Sequence, residues 1–263
     1  MSANTEQRRR MIQAEVYEKG RVLIKDLAAE YGVSEATIRR DLKALDDEGG
    51  VELITGGATL PRISDFSFHS KGTRNVEAKR KIGRLAATLV GDNDQVFLDS
   101  GTTCFQMVPY LKQRHNLSII ANSTRLALEL DAPGVQGIII GGQYRPERMD
   151  SVGPLATRML ENLRGYLAII GADGLSMDFG LTASDIESAH LNGLAVANAR
   201  ETVLVADHSK FLSPSLYKIV DFDAISRIVT DRWPNGEWMR FLDRRGIEVL
   251  VAEEADRQAK AGR

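Results

Sequence analysis

The chain has 263 residues, 43% hydrophobic and 27% charged, with a formal net charge of −2 at pH 7. These values are typical of a globular protein with one large core, or one large and one small core, and they exclude binding of nucleic acid through overall charge. Any DNA contact must rest on local basic clusters. The single cysteine, Cys104, excludes an intrachain disulfide, and the four histidines lack metal-like spacing, so we expect neither a metal nor a cofactor.

A first helix is predicted at residues 6–18, where apolar residues recur at helical spacing and three arginines, 8–10, stand near the start. Such a basic helix end can reach the phosphate backbone of DNA, and Arg9 is the candidate for that contact. The alternative is that these arginines are only solvated, and the pattern does not choose between the two.

Two further helical stripes follow, separated by a tight turn at Gly32. Their apolar residues are Ile24, Leu27, Ala28 and Tyr31 in the first, and Ile38, Leu42 and Leu45 in the second. Ser34 can cap the second helix, whose opposite face is basic and suits a DNA major groove. The pattern predicts a helix-turn-helix, and the alternative is a solvated charged face on an ordinary helical hairpin. The predicted DNA contacts are Arg9, Ser34, Thr37, Arg39, Arg40 and Lys43.

Two short strands, 51–54 and 56–60, are predicted beside the second helix as a wing. Residues 9–58, with LAAEYGVSEATIRRDLKAL and a terminal GGA, resemble the winged helix-turn-helix of the DeoR family of bacterial transcriptional regulators. The resemblance implies a double-stranded DNA operator as partner. In that family an arginine and a histidine or similar polar residue usually precede the two glycines, where this chain has Leu53 and Thr55. We therefore expect specificity to rest more on the recognition helix than on the wing.

A larger α/β domain is predicted after a linker at residues 59–75, which is punctuated by serine, glycine and proline. A helical stripe at 77–90 is followed by apolar runs that alternate with helical patterns, as in a parallel sheet covered by helices. The predicted strands are 96–99, 117–121, 136–140, 167–171, 203–206, 227–230 and 247–251, and the helices between them lie near 104–112, 124–130, 154–162, 186–199 and 237–243. The predicted domains are a winged helix-turn-helix at 1–58, a Rossmann-like α/β domain at 76–255 and a flexible tail at 256–263.

Polar residues cluster after the predicted strands, where open α/β sheets bind ligands. The segment 99–103 joins a strand end to a helix start through a glycine, which suits a phosphate or another anion. The alternative is a plain turn with a hydroxyl cap. The segment lacks the spacing and lysine of a nucleotide P-loop, so ATP is not expected. The candidate ligand residues are Asp99, Ser100, Gly101, Thr102, Thr103, Asn122, Gly141, Gly142, Asp173, Thr182, Asp207 and Lys210.

The second half of the chain also resembles the DeoR family, in its sugar-phosphate-sensing domain. The matching segments are FLDSGTT (97–103), AN (121–122), IIGGQYR (139–145), SVGPLA (151–156), GADG (171–174), GLT (180–182), ADHSKF (206–211) and IVTD (228–231). The resemblance implies a fold similar to ribose-5-phosphate isomerase and glucosamine-6-phosphate deaminase. It also implies a phosphorylated sugar or polyol as effector, and a homo-oligomer, dimer or tetramer, formed through this domain.

One departure from that pattern concerns the helix after GLT. The family commonly carries an acidic residue followed by a Lys-Arg pair there, whereas the positions around Asn192 and Gly193 are uncharged. Either the effector is less negatively charged than a typical sugar phosphate, or its phosphate is held elsewhere, by Lys210 or Arg145.

The predicted function is a DNA-binding transcriptional regulator, a repressor of a carbohydrate-utilisation operon, whose operator affinity is controlled by the effector. The alternative is an isomerase-like enzyme with an appended DNA-binding domain, in which Asp99, Asp173, Asp207 and Lys210 would transfer protons. A helix-turn-helix ahead of the domain favours sensing, so we expect no catalytic residues. Without an apolar leader or a run of about 18 apolar residues, the protein is expected to be cytoplasmic and to make no membrane contact.

Overall fold

Two compact units, each with its own hydrophobic core, make up the structure, a computed structural model that describes residues 3–47, 51–59, 68–212 and 214–255. The boundary between the units along the chain falls between Asn75 and Val76. Within the described residues, no helix combines the length and the apolar character needed to cross a membrane. The predicted tail, 256–263, lies outside these ranges.

The first unit is a helical domain with a small antiparallel sheet. Its helices are α1 (Ala3–Lys19), α2 (Ile24–Glu30), α3 (Glu35–Asp47) and α4 (Phe68–Thr73), and its strands are β1 (Arg21–Leu23), β2 (Glu52–Ile54) and β3 (Gly57–Thr59). Ile12, Leu27, Ile38 and Leu42 form the centre of the core, so α1, α2 and α3 all turn their apolar stripes inward. The helix-turn-helix and the two wing strands are confirmed. The sheet order is β1-β3-β2, and β1 was not predicted because three residues are too few to show strand alternation.

The predicted linker is not wholly irregular. Helix α4 lies inside it, a helix that the sequence did not predict. Six residues are too few to display a 3.6-residue period, and the serine and glycine within them indicated a loop. The rest of that linker, at 60–67, lies outside the described residues.

The second unit is built on a seven-stranded parallel sheet of order β15-β14-β12-β9-β4-β5-β6, with smaller antiparallel sheets beside it. Its strands are β4 (Gln95–Leu98), β5 (Leu117–Ala121), β6 (Val135–Ile139), β7 (Gln143–Arg145), β8 (Asp150–Val152), β9 (Leu167–Ile170), β10 (Gly174–Ser176), β11 (Gly180–Ala183), β12 (Glu201–Val205), β13 (Tyr217–Val220), β14 (Arg227–Thr230) and β15 (Glu248–Val251). Its helices are α5 (Val76–Ala87), α6 (Thr102–Phe105), α7 (Val108–Leu111), α8 (Thr124–Glu129), α9 (Pro154–Glu161), α10 (Ile186–Asn198) and α11 (Gly236–Asp243). The α/β fold class is confirmed, since the seven predicted strands are the seven strands of the parallel sheet.

Helices cover both faces of this sheet, and each face has its own core. One core includes residues of α9, α10 and α11, and the other includes residues of α5, α6, α7 and α8. The single helix predicted near 104–112 is two short helices, because Pro109, at the start of α7, has no backbone N–H to continue the first. Strand order reverses between β4 and β9, and the carboxyl ends of these neighbours form the crevice where sheets of this type bind ligands.

Candidate functional site

The recognition helix α3 presents one buried and one exposed face. Ile38, Leu42 and Leu45 are buried, while Arg39, Arg40 and Lys43 are exposed. The Ser34 hydroxyl accepts a hydrogen bond from the Thr37 N–H (3.2 Å) and lies 3.0 Å from the Thr37 hydroxyl. Ser34 therefore acts as a cap of α3, and its predicted DNA contact stays a prediction.

The exposed cations of α3 differ in what they already touch. Arg39 pairs with Glu35 (2.9 Å) and Lys43 with Asp47 (3.1 Å), both on the surface, where ion pairs are weak and a phosphate can replace the carboxylate. Within the described ranges, no hydrogen bond or ion pair joins the Arg40 side chain to another residue. Arg40 is thus the most available guanidinium on the helix for a base or phosphate of DNA.

A buried carboxylate ties the recognition helix to α1. Asp41, 2% exposed, receives hydrogen bonds from Arg8 Nε (2.7 Å) and Arg9 Nε (2.9 Å). Arg9 therefore has a role inside the fold, and its predicted contact with DNA remains untested. These two bonds fix the orientation of α3 relative to α1.

Close packing between strands explains the glycine at position 57 of the wing. A Cβ at Gly57 would lie 1.9 Å from the carbonyl oxygen of Val22, so only glycine lets β3 approach β1 this closely. Leu53 is 37% exposed, and its N–H is bonded by Asp46 of α3 (3.3 Å). Strand β2 of the wing therefore exposes an apolar side chain close to α3.

In the second unit, Asp99 occupies the crevice between β4 and β9. Gly171 N–H donates to its Oδ2 (3.0 Å) and Asn192 Nδ2 to its Oδ1 (3.3 Å). Gly101 and Gly171 also approach the carboxylate closely, since a Cβ on either would lie 3.0 or 3.2 Å from Oδ2. Burial raises the pKa of Asp99 against these two hydrogen bonds, and the charges of Asp150 and Asp173 add to the increase. Asn192 lies near the positions where the family commonly has a Lys-Arg pair, and in this chain it is a neutral partner of a buried acid.

Arg145 is held in a network of its own. Its guanidinium donates to Asp150 (2.9 and 2.8 Å), to Asp185 (2.8 and 2.7 Å) and to Ser188 Oγ (2.9 Å). Ser100 Oγ donates to Asp150 as well (3.3 Å), which links the 99–103 segment to the β7–β8 hairpin. Holding a phosphate would require Arg145 to give up these partners. Sequence reasoning missed Asp150 because it did not predict the hairpin that pairs β7 with β8. It missed Asp185 because this cap of α10 lies 40 residues from Arg145 along the chain.

A second polar cluster lies on the opposite face of the sheet, around Asp207. Burial alone would raise the pKa of this carboxyl, but Lys210, a hydrogen bond from Ser209 and Lys79 outweigh it, and the pKa lies below its ordinary value. Lys79 belongs to α5 and is only 4% exposed. The predicted residues Asp207 and Lys210 are thus brought together, and Lys79 is an addition that the sequence did not reveal, because a lysine in a charged helix reads as solvated.

Some predicted residues do not join these clusters. Thr182 is fully buried, and its hydroxyl donates to the Gly174 carbonyl (2.7 Å) and accepts from Ser215 N–H (2.7 Å), so it supports the sheet formed by β10, β11 and β13. Gly142 packs on the hairpin, since a Cβ would lie 2.5 Å from the Val152 carbonyl oxygen, while Gly141 faces open space.

The remaining predicted residues stand at the edge itself. Asp173 accepts from the N–H (2.9 Å) and hydroxyl (2.7 Å) of Ser184, and Thr102 and Thr103 are buried at the start of α6. Because α6 has only four residues, its helix dipole is short and contributes little to the binding of an anion.

Comparison with known families decides the identity of both units. The DeoR-like helix-turn-helix domain matches residues 8–63, and the DeoR C terminal sensor domain matches residues 74–232. The chain belongs to the DeoR family. The resemblance inferred from the motifs is therefore confirmed.

Relatives along nearly the whole length of this DeoR-family chain are regulators. A putative aga operon transcriptional repressor from Escherichia coli O157:H7 is 30% identical over 95% of each chain. The transcriptional repressor GlcR from Bacillus subtilis is 33% identical over 89% of this chain and 91% of its own. Ribose 5-phosphate isomerase A from Methanocaldococcus jannaschii aligns over 52% of this chain and 54% of its own, at 20% identity and a TM-score of 0.37. The prediction of a transcriptional regulator is confirmed, and the enzyme alternative is not.

Proposed function

We propose that this DeoR-family regulator represses a carbohydrate operon and that a phosphorylated sugar or polyol, bound at the carboxyl edge of the parallel sheet, sets its affinity for the operator. The repressor names of its relatives support the first part. The second rests chiefly on one observation, that the buried Lys79 and the partly exposed Lys210 lie close enough to the buried Asp207 to lower its pKa.

In this proposal the phosphate binds at the lysine side of the edge. A lysine ammonium serves as a point charge for phosphate, and two lysines outweigh the single charge of Asp207. The sugar hydroxyls then lie toward the acceptor groups of Asp99 and Asn122 on the other face. Such a ligand spans the crevice at the strand reversal, and DNA is contacted by the exposed side of α3, with Arg40 in the leading role.

Coupling between the two events is assigned to α5. This helix begins at Val76, directly after the boundary between the units, and it carries Lys79. A ligand that changes the position of α5 changes the placement of the winged unit, and the operator affinity shifts by the difference in ligand affinity between the two arrangements. We propose a dimer or tetramer as the binding species, because paired half-sites give a weakly basic domain enough contacts.

The test is a thermal shift of the purified protein across sugar phosphates, polyol phosphates, inorganic phosphate and the unphosphorylated sugars. A ligand at 100 times its dissociation constant stabilises the native state by about 2.7 kcal/mol. A selective shift is expected, which Lys79→Met and Lys210→Met each remove. Lys81→Met is the matched control, since it removes a half-exposed lysine two positions along the same helix. The absence of a shift with every phosphorylated compound, or an equal loss in the control, would contradict the proposed sensor.

A further inference from the structure

Several acceptor groups gather on the Asp99 side of the proposed ligand edge. The register of the neighbouring strands β4 and β5 pairs Phe97 with Ile120. Asp99 and Asn122 each follow two residues later, directly after the ends of these strands. Phe97 and Ile120 belong to the core under α10, and alternation along a strand puts Asp99 and Asn122 on that same face. The contact between Asp99 and Asn192 of α10 agrees with this direction.

Asn122 carries an acceptor without a donor. The residue is 4% exposed, and its Nδ2 donates to the Ser151 carbonyl oxygen at 3.0 Å. Because a carbonyl can only accept, the amino group of the amide faces Ser151 and the amide oxygen faces the other way. Among the described residues, no donor reaches that oxygen. A hydroxyl or N–H of a bound molecule would satisfy this acceptor.

The charges around Asp99 also favour a ligand group that donates a hydrogen bond. Asp99, Asp150 and Asp173 lie close enough for the latter two to disfavour ionisation of Asp99. Arg145 is engaged by Asp150 and Asp185, and Asn192, which meets Asp99, is neutral. A carboxylate bound here would face further carboxylates and an orphan acceptor, whereas a hydroxyl would donate to them.

We infer that the Asp99 side binds the uncharged, hydroxyl-bearing end of the effector, so that the site selects phosphorylated polyols and sugars and rejects phosphorylated sugar acids. The inference rests on the proposed function, because it assumes that a phosphate is held at Lys79 and Lys210. It assigns to Asn122 and Asn192 the discrimination between an alcohol and an acid at the far end of the ligand.

Glucitol 6-phosphate and gluconate 6-phosphate test this discrimination, because they share carbon chain, hydroxyl configuration and phosphate and differ in one terminal CH₂OH or carboxylate. The corresponding alcohol and acid of another sugar replace them if the panel above prefers its configuration. Calorimetric titration at pH 7 is expected to show the alcohol binding at least tenfold more tightly. Asn122→Ala is expected to weaken the alcohol about tenfold, while Asn162→Ala, an exposed asparagine at the end of α9, leaves both affinities unchanged.

Asn192→Lys is the decisive variant, because it places a cation beside Asp99. The acid is then expected to gain affinity until the ratio falls below about threefold. An acid that binds the unmodified protein as tightly as the alcohol, or a ratio that Asn192→Lys leaves unchanged, overturns the inference while the proposed function stands. The absence of a thermal shift with every phosphorylated compound overturns the proposed function, and this inference with it.

Discussion

Replacing Asp41 with asparagine should unfold the winged unit early while the sensor unit stays intact. The carboxylate is 2% exposed and receives one hydrogen bond from each of two arginines, at 2.7 and 2.9 Å. Asparagine keeps the shape but offers one acceptor, so one charged hydrogen bond is lost and the other is weakened. Bonds to charged groups contribute about 1.5 to 3 kcal/mol each, and since both arginines reach some solvent we expect a net loss of about 2 kcal/mol.

In a domain of this size, 2 kcal/mol corresponds to a fall of about 8 to 16 °C in Tm. Far-UV circular dichroism of the full chain should show this early transition. Tryptophan fluorescence should not change, because both tryptophans, Trp233 and Trp238, lie in the second unit. Asp47→Asn is the control, since that carboxylate is 63% exposed and its loss should cost under about 0.5 kcal/mol. Equal effects of the two variants would refute the structural role assigned to the buried carboxylate.

Three further predictions address DNA contact, packing and pH. Arg40→Ala should weaken operator binding by about 1 to 3 kcal/mol in fluorescence anisotropy and leave the ligand-induced thermal shifts unchanged. Arg10→Ala, which removes a 68% exposed arginine of α1, should change the operator affinity less than about threefold. Similar losses in the two variants would contradict the special role of α3. Gly83→Ala should destabilise the second unit by about 1 to 3 kcal/mol in urea unfolding, because the new Cβ would lie 2.5 Å from the Cβ of Gln106. Gly91→Ala, whose Cβ would have its nearest atom at 3.5 Å, should leave the stability unchanged. An unchanged stability of Gly83→Ala would contradict the packing of α5 on α6. Burial works to raise the pKa of Asp185, but hydrogen bonds from Arg145 and from the Ser188 N–H outweigh it, so the pKa is lowered. The ionised carboxylate therefore stabilises the fold above the unfolded pKa of about 3.9, and this stabilisation is lost as pH falls through the folded pKa. Asp185→Asn should therefore cost about 1 to 2 kcal/mol at pH 7 and progressively less below pH 4 in urea unfolding, and an equal cost at pH 7 and pH 3 would refute the charge pairing.

The parallel sheet was predictable because its strands are covered on both faces and appear as continuous apolar runs. Strands 117–121 and 227–230 were predicted with the bounds that β5 and β14 show. The small antiparallel strands left no such signal. Strand β7 is Gln-Tyr-Arg, and β8 begins with Asp150, so neither carries an apolar run. Their pairing depends on a turn whose residues carry no clear turn signal.

The candidate ligand site was predictable in outline and not in its contacts. Strand ends meet at one edge of a parallel sheet, which located Asp99, Asn122 and Asp207 in advance. Which groups surround them depends on distant parts of the chain, since Asn192 lies 93 residues from Asp99. Lys79 illustrates the same limit, because local sequence marks it as a charged helix residue and tertiary packing alone buries it.

The central claim is that a phosphorylated ligand of the second unit controls sequence-selective DNA binding by the first. The most direct measurement is affinity selection of genomic DNA fragments by the full chain, with and without the compound that gives the largest thermal shift. The account predicts that fragments upstream of a carbohydrate operon are enriched, that their affinity changes at least fivefold with the ligand, and that Lys210→Met keeps the enrichment and loses the change. Retention of fragments without sequence preference, or enrichment that no phosphorylated compound alters, would contradict it.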